Sequence, residues 1–141
     1  MKKVIILACA LLITSLGLLA CSPTKQISQD VTYEDFIKDQ NVSWVATADV
    51  GDTIVVTLGS NPATGFKWPD IAQIYNQEIL KQTDYKFVNS EQTGVVGAPG
   101  KDVWTFKVLK KGTTTISMGY RRPWEKKEKA EWTFDATITI E

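Results

Sequence analysis

The chain has 141 residues, 16 basic and 16 acidic side chains, two cysteines and no histidine. Balanced charge offers no basic field for nucleic acid, and without histidine neither a Ser-His-Asp triad, a Cys-His pair nor a common zinc site can be assembled. Carboxylates remain, at Glu34 with Asp35 and at Glu125 with Glu128 and Glu131, but such clusters beside turns are typical solvated surface. The composition reads as a protein that is no enzyme and carries no cofactor or metal.

Lys2 and Lys3 precede an apolar run from Val4 to Ala20, broken only by Thr14, Ser15 and Gly17. A basic start, a short apolar centre and small residues before a cut site describe an export signal over 1–20. Leu18, Leu19, Ala20 and Cys21 are similar to the lipobox of bacterial lipoproteins, which implies cleavage before Cys21 and acylation, by palmitate for example, on its sulfur. Several acyl chains anchor durably where one holds weakly. The expected place is the bacterial cell envelope, on the periplasmic or outer side, with a membrane partner reached through Cys21. Cys9 leaves with the leader, so no thiol remains for an intrachain disulfide.

Residues 21–30 read as the lipidated cysteine and a polar tether, and 31–141 as one domain. Val31 to Gln40 is either a short helix or an irregular lead-in. From Val42 the pattern is β. Ile54, Val56 and Leu58 alternate with Val55 and Thr57, and Trp104, Phe106 and Val108 share a face opposite Val103, Thr105 and Lys107. Thr114, Ile116, Met118 and Tyr120 form another such face, and Trp132, Phe134, Ala136, Ile138 and Ile140 the last. A slip of one residue would turn all five of these outward. Ile71 to Leu80 fits a helical turn or a bulged strand. About seven short strands with regular turns predict an all-β fold, an immunoglobulin-like antiparallel sandwich with Trp68 and Phe66 in its core; a barrel shares the pattern. Every Trp, Tyr and Phe follows the leader, which supplies a dense monomeric core.

Three stiff turns fall at strand ends: Asn61, Pro62, Ala63, Thr64 and Gly65; then Gly97, Ala98, Pro99 and Gly100; then Arg121, Arg122, Pro123 and Trp124. Proline fixes a backbone dihedral and glycine opens conformations closed to other residues, so each loop resists collapse without being slack. In kind and order they resemble the three hallmark loops of the chagasin-like inhibitors of papain-type cysteine proteases, an NPTTG-like, a GxGG-like and an RPW-like loop. Ala63 stands where that pattern has its first threonine, and Pro99 where it has its first paired glycine. Gly94, Val95 and Val96 either join the second loop or support it.

The resemblance implies a reversible inhibitor of a papain-family cysteine protease. Asn61, Pro62, Ala63, Thr64 and Gly65 would enter the active-site cleft, flanked by Gly97, Ala98, Pro99 and Gly100 on one side and by Arg122, Pro123 and Trp124 on the other. A cell-surface module for glycans or an adhesive partner is the rival reading, with Trp124 stacked on a sugar; a ligand-free envelope lipoprotein is the second.

Overall fold

A computed structural model describes residues 23–90, 96–125 and 129–141. The leader, Cys21, Gly94, Val95 and Glu128 lie outside the described residues. Among the described residues eight strands form two four-stranded sheets. The first sheet runs β1 (Gln26–Val31), β3 (Thr53–Ser60), β6 (Gly100–Val108), β5 (Leu80–Val88); the second runs β2 (Asn41–Ala48), β8 (Trp132–Ile140), β7 (Gly112–Tyr120), β4 (Gln73–Ile74). A short helix, α1 (Tyr33–Lys38), joins β1 to β2. Among the described residues no helix is long and apolar enough to cross a membrane.

The inward faces are those the alternation predicts. Ile54, Val56 and Leu58, then Trp104, Phe106 and Val108, then Ile116, Met118 and Tyr120, and Trp132 through Ile140 at every second position, are all buried. Trp68 is fully buried, while Phe66 is only half-buried and packs against that core from its edge.

Two features depart from the sequence reading. The tether expected over 21–30 is already strand from Gln26, because Ile27 and Val31 face the core and β1 pairs in register with β3 from Gln26 against Thr53. The sandwich is also not antiparallel throughout, since at one edge of each sheet the outer pair, β1 with β3 and β2 with β8, is parallel. Chain direction dictates this. β1 runs toward one pole, α1 crosses there, β2 returns in the other sheet, and the turn at Asp49–Asp52 sends β3 back alongside β1.

Local chemistry sets α1. Thr32 caps it, its hydroxyl accepting from Asp35 N at 3.1 Å while the Asp35 carboxylate accepts from Thr32 N at 3.0 Å, a reciprocal capping box. Phe36 is buried on its inner side. The first turn lies so close to β3 that a β-carbon at Gly59 would sit 2.2 Å from Tyr33 N, so only glycine admits the helix there. Ile71 to Leu80 contains no helix beyond a single closed turn, in which Ile79 N and Leu80 N both donate to Asn76 O at 3.3 Å. It holds the two-residue β4 and a turn, with Ala72, Ile74, Ile79 and Leu80 buried and Ile71 and Tyr75 exposed.

An aromatic cluster fills the pole that α1 crosses. Tyr120 and Trp132 stack at 4.7 Å, Trp132 stacks on Phe36 at 5.2 Å, and Trp68 lies 5.0 Å from Tyr120. Such ring pairs contribute about 0.5–1.5 kcal/mol each beyond their buried area. This pole also carries the ends of β3, β5 and β7 and the starts of β6 and β8.

Candidate functional site

Above that cluster the chain leaves β3 at Ser60 and makes a tight 3-10 turn over Pro62–Thr64. Asn61 caps it, its Oδ1 accepting from Ala63 N at 3.1 Å, and proline at the first position suits a turn whose first N–H has no partner anyway. The Thr64 hydroxyl donates to Asn61 O at 2.6 Å, and Gly65 N donates to Pro62 O at 3.0 Å. Gly65 closes the turn at φ 80°, a left-handed conformation that favours glycine. The turn therefore closes without a hydroxyl at Ala63. Pro62, Ala63 and Thr64 are exposed at its tip.

The second loop is tied to the first by a side chain. Asn61 Nδ2 donates to Gly97 O at 3.0 Å, and a β-carbon on Gly97 would meet the Ala63 methyl at 3.8 Å. Ala98 is half-buried and Pro99 exposed, and Gly100 then enters β6 where a β-carbon would strike Phe87 and Val88 O. Val96, beside Gly97, is fully exposed, so it does not support the loop from beneath.

The third loop binds the other side of the first. Arg122 Nε donates to Thr64 O at 3.2 Å, its guanidinium lies 4.5 Å from the Phe66 ring centroid, and its Nη1 meets Glu125 Oε1 at 3.1 Å. Cation–π attraction and the ion pair hold this side chain. Trp124 is 68% exposed, yet one edge of its indole covers Gly65 closely enough to leave no room for a β-carbon. Lys67 and Arg121 exchange backbone hydrogen bonds of 2.8 and 3.1 Å at the root of the two loops.

All three predicted segments thus meet in one ridge. Asn61 through Gly65 form its crest, with Gly97 through Gly100 on one slope and Arg122 to Trp124 on the other. Two supports were not singled out from sequence. The Tyr120 hydroxyl accepts from Asn61 N at 2.9 Å, joining the aromatic cluster to the crest. Asp102, 4% exposed, accepts from the Ser60 hydroxyl at 2.5 Å and from the Tyr85 hydroxyl at 2.6 Å. Burial raises the pKa of the Asp102 carboxyl, an effect that these two donors oppose. Its signal was present in the chain, because 102 shares the inward face of 104, 106 and 108 and a carboxylate there demands partners.

The crest carries no charged side chain at its tip, and its one hydroxyl, on Thr64, donates to Asn61 O within the turn. What it offers is shape: a narrow, internally bonded turn with backbone close to the surface and an indole beside it.

Residues 47–138 match the model of the chagasin family of peptidase inhibitors, I42. Amoebiasin-2 of Entamoeba histolytica is 41% identical over 75 residues, which cover 53% of this chain and 59% of that relative's length. Among solved structures, the cysteine protease inhibitor EhICP2 of Entamoeba histolytica matches with a TM-score of 0.65 at 26% identity, over 84% of this chain and 99% of that one. PbICP-C, solved in complex with falcipain-2, shares the fold at a TM-score of 0.51 and 18% identity, over 82% of this chain and 97% of that one.

Proposed function

The chain belongs to the chagasin family of peptidase inhibitors, and from that premise we propose that it reversibly inhibits a papain-type cysteine protease by filling the active-site cleft with its loop ridge. The observation that carries this reading is the convergence of three separate loops through Asn61–Gly97 and Arg122–Thr64 hydrogen bonds. A V-shaped cleft between two lobes, with a thiolate at its base, takes a narrow crest and two shoulders. EhICP2 is itself a cysteine protease inhibitor, and PbICP-C is seen bound to falcipain-2.

The ridge acts by occupancy. Its crest is already ordered, so docking forfeits little conformational entropy. It also resists cleavage, because the carbonyls of Asn61, Pro62 and Thr64 are all engaged within the ridge. Drawing it out into an extended substrate would break several hydrogen bonds, each contributing about 0.5–1.5 kcal/mol. Pro62 and Gly65 divide the labour: one limits freedom, the other lets backbone approach closely. Trp124 supplies the large apolar contact.

The same reading places the protein in the envelope, exported by the leader and held by acyl chains on Cys21. The decisive experiment titrates the acylated chain in detergent against papain and a cathepsin-like protease with a fluorogenic peptide. Competitive, stoichiometric loss of turnover is expected; unimpeded turnover at saturating inhibitor overturns the proposal.

A further inference from the structure

The pole opposite the ridge has a composition of its own. It is built from the β2–β3 turn at Asp49–Asp52, the β6–β7 turn at Leu109–Lys111 and the segment from Tyr75 to Ile79. Backbone hydrogen bonds knit these together: Gly51 N to Val108 O at 3.0 Å, Val108 N to Asp52 O at 3.0 Å, and Leu109 N to Ile79 O at 2.8 Å. Val50, within the first turn, is 48% exposed, Leu109, the first residue of the second, 46%, and Tyr75 88%. Lys110 and Lys111 follow Leu109 and are exposed.

The chain enters the fold at this same pole. Lys25 O accepts from Thr53 N at 3.0 Å, Lys25 N donates to the buried Asp52 carboxylate at 3.0 Å, and Lys25 Nζ pairs with Asp49 at 3.2 Å. Cys21 precedes Lys25 by four positions, so at no more than ~3.5 Å per residue it lies within roughly 14 Å of this pole whatever path the chain takes.

We propose that this pole is a bilayer-docking surface, on which Val50, Leu109 and Tyr75 meet the interfacial region while Lys110 and Lys111 meet anionic phospholipid headgroups. The inference rests on acylation of Cys21 and is independent of protease binding. A lipid at Cys21 holds the surface at the membrane continuously, so weak contacts count. Exposed apolar side chains and an aromatic suit the interface, and lysines beside them reach headgroup phosphates. Asp49 is already paired with Lys25, which leaves Glu78 and Glu141 as the opposing charges at this end. The ridge is then carried away from the lipid by the length of the sandwich, roughly 25–30 Å for strands of nine residues, and meets proteases in the aqueous space.

The test uses the mature acylated chain reconstituted in phosphatidylglycerol-containing vesicles with a nitroxide quencher in the lipid phase. With Cys9 removed in the leader and Cys21 acylated, an introduced cysteine is the sole thiol, so Leu109→Cys and Ala63→Cys each carry one environment-sensitive fluorophore. The label at 109 should be quenched at least twofold more than that at 63, and adding Lys110→Glu with Lys111→Glu should halve that excess. Equal quenching at both sites, or none at 109, in a chain whose Cys21 is acylated by mass spectrometry, overturns the docking surface. A Cys21 found without acyl groups overturns the anchor reading and this inference with it. Inhibition by vesicles carrying the Leu109→Cys chain, whose crest is unaltered, reports separately on the ridge.

Discussion

Trp124 lies against Gly65 so closely that a β-carbon on the glycine would stand 2.4 Å from the indole Cη2. The bare backbone at 65 is therefore the seat of the largest exposed ring on the ridge, and two loops far apart in the chain share one surface.

Gly65→Val should act twice, through its positive φ and by displacing Trp124. Inhibition should weaken at least tenfold, and the domain should lose about 1 kcal/mol or more in chemical denaturation. Retained affinity would mean that the indole's seat is irrelevant to binding.

Trp124→Ala removes contact area from a mostly exposed ring, so stability should change by less than about 0.5 kcal/mol. Affinity should fall by about 2 kcal/mol, near thirtyfold in the inhibition constant. Lys81→Ala, at an exposed position near the opposite pole, should leave inhibition unchanged.

Asn61 performs two tasks that substitution separates. Asn61→Asp keeps the oxygen that caps Ala63 N but loses the donor to Gly97 O, whereas Asn61→Ala loses both. The alanine variant should lose about 1–2 kcal/mol of stability and the aspartate less. Both should bind protease more weakly, because the second slope is no longer tied to the crest.

The buried carboxyl of Asp102 gives a pH signature. Its pKa is raised in the fold, first by burial, so its favourable contribution is complete below the unfolded carboxylate range and is lost as pH rises through the folded value. Compared with Asp102→Asn, the natural protein should therefore lose relative stability on going from acid toward neutral pH. A difference in melting temperature that does not vary with pH would contradict this.

Asp35 and Asp52 run the other way. Hydrogen bonds from Thr32 lower the first, and backbone N–H groups of Asp49 and Lys25 lower the second. Their contribution is present above the unfolded carboxylate range and lost as pH falls through their folded values. Asp35→Asn and Asp52→Asn should each flatten the acid limb of the stability curve.

Much of this was legible because strands with one buried face repeat every two residues. Trp132 to Ile140 could be placed from alternation alone, as could the three loops from their proline and glycine. β1 was missed for a physical reason: as an edge strand it sends only Ile27 and Val31 to the core, and the rest of Gln26–Val31 is polar. Its parallel pairing follows from a crossover through α1 that local pattern does not encode. The Thr32 and Asp35 capping signature would have settled the ambiguous lead-in as a helix. Hydrogen bonds between loops were beyond reach, since Asn61 to Gly97 and Thr64 to Arg122 depend on tertiary placement.

Those two bonds span 36 and 58 positions along the chain, so the ridge has no existence apart from the whole sandwich. A synthetic copy of residues 61–65 would lack Gly97 and Arg122 as clamps and would sample open conformers. It would then resemble an ordinary degradable peptide, and any mimic meant to reproduce the parent's resistance to digestion must rebuild the brace as well as the bend.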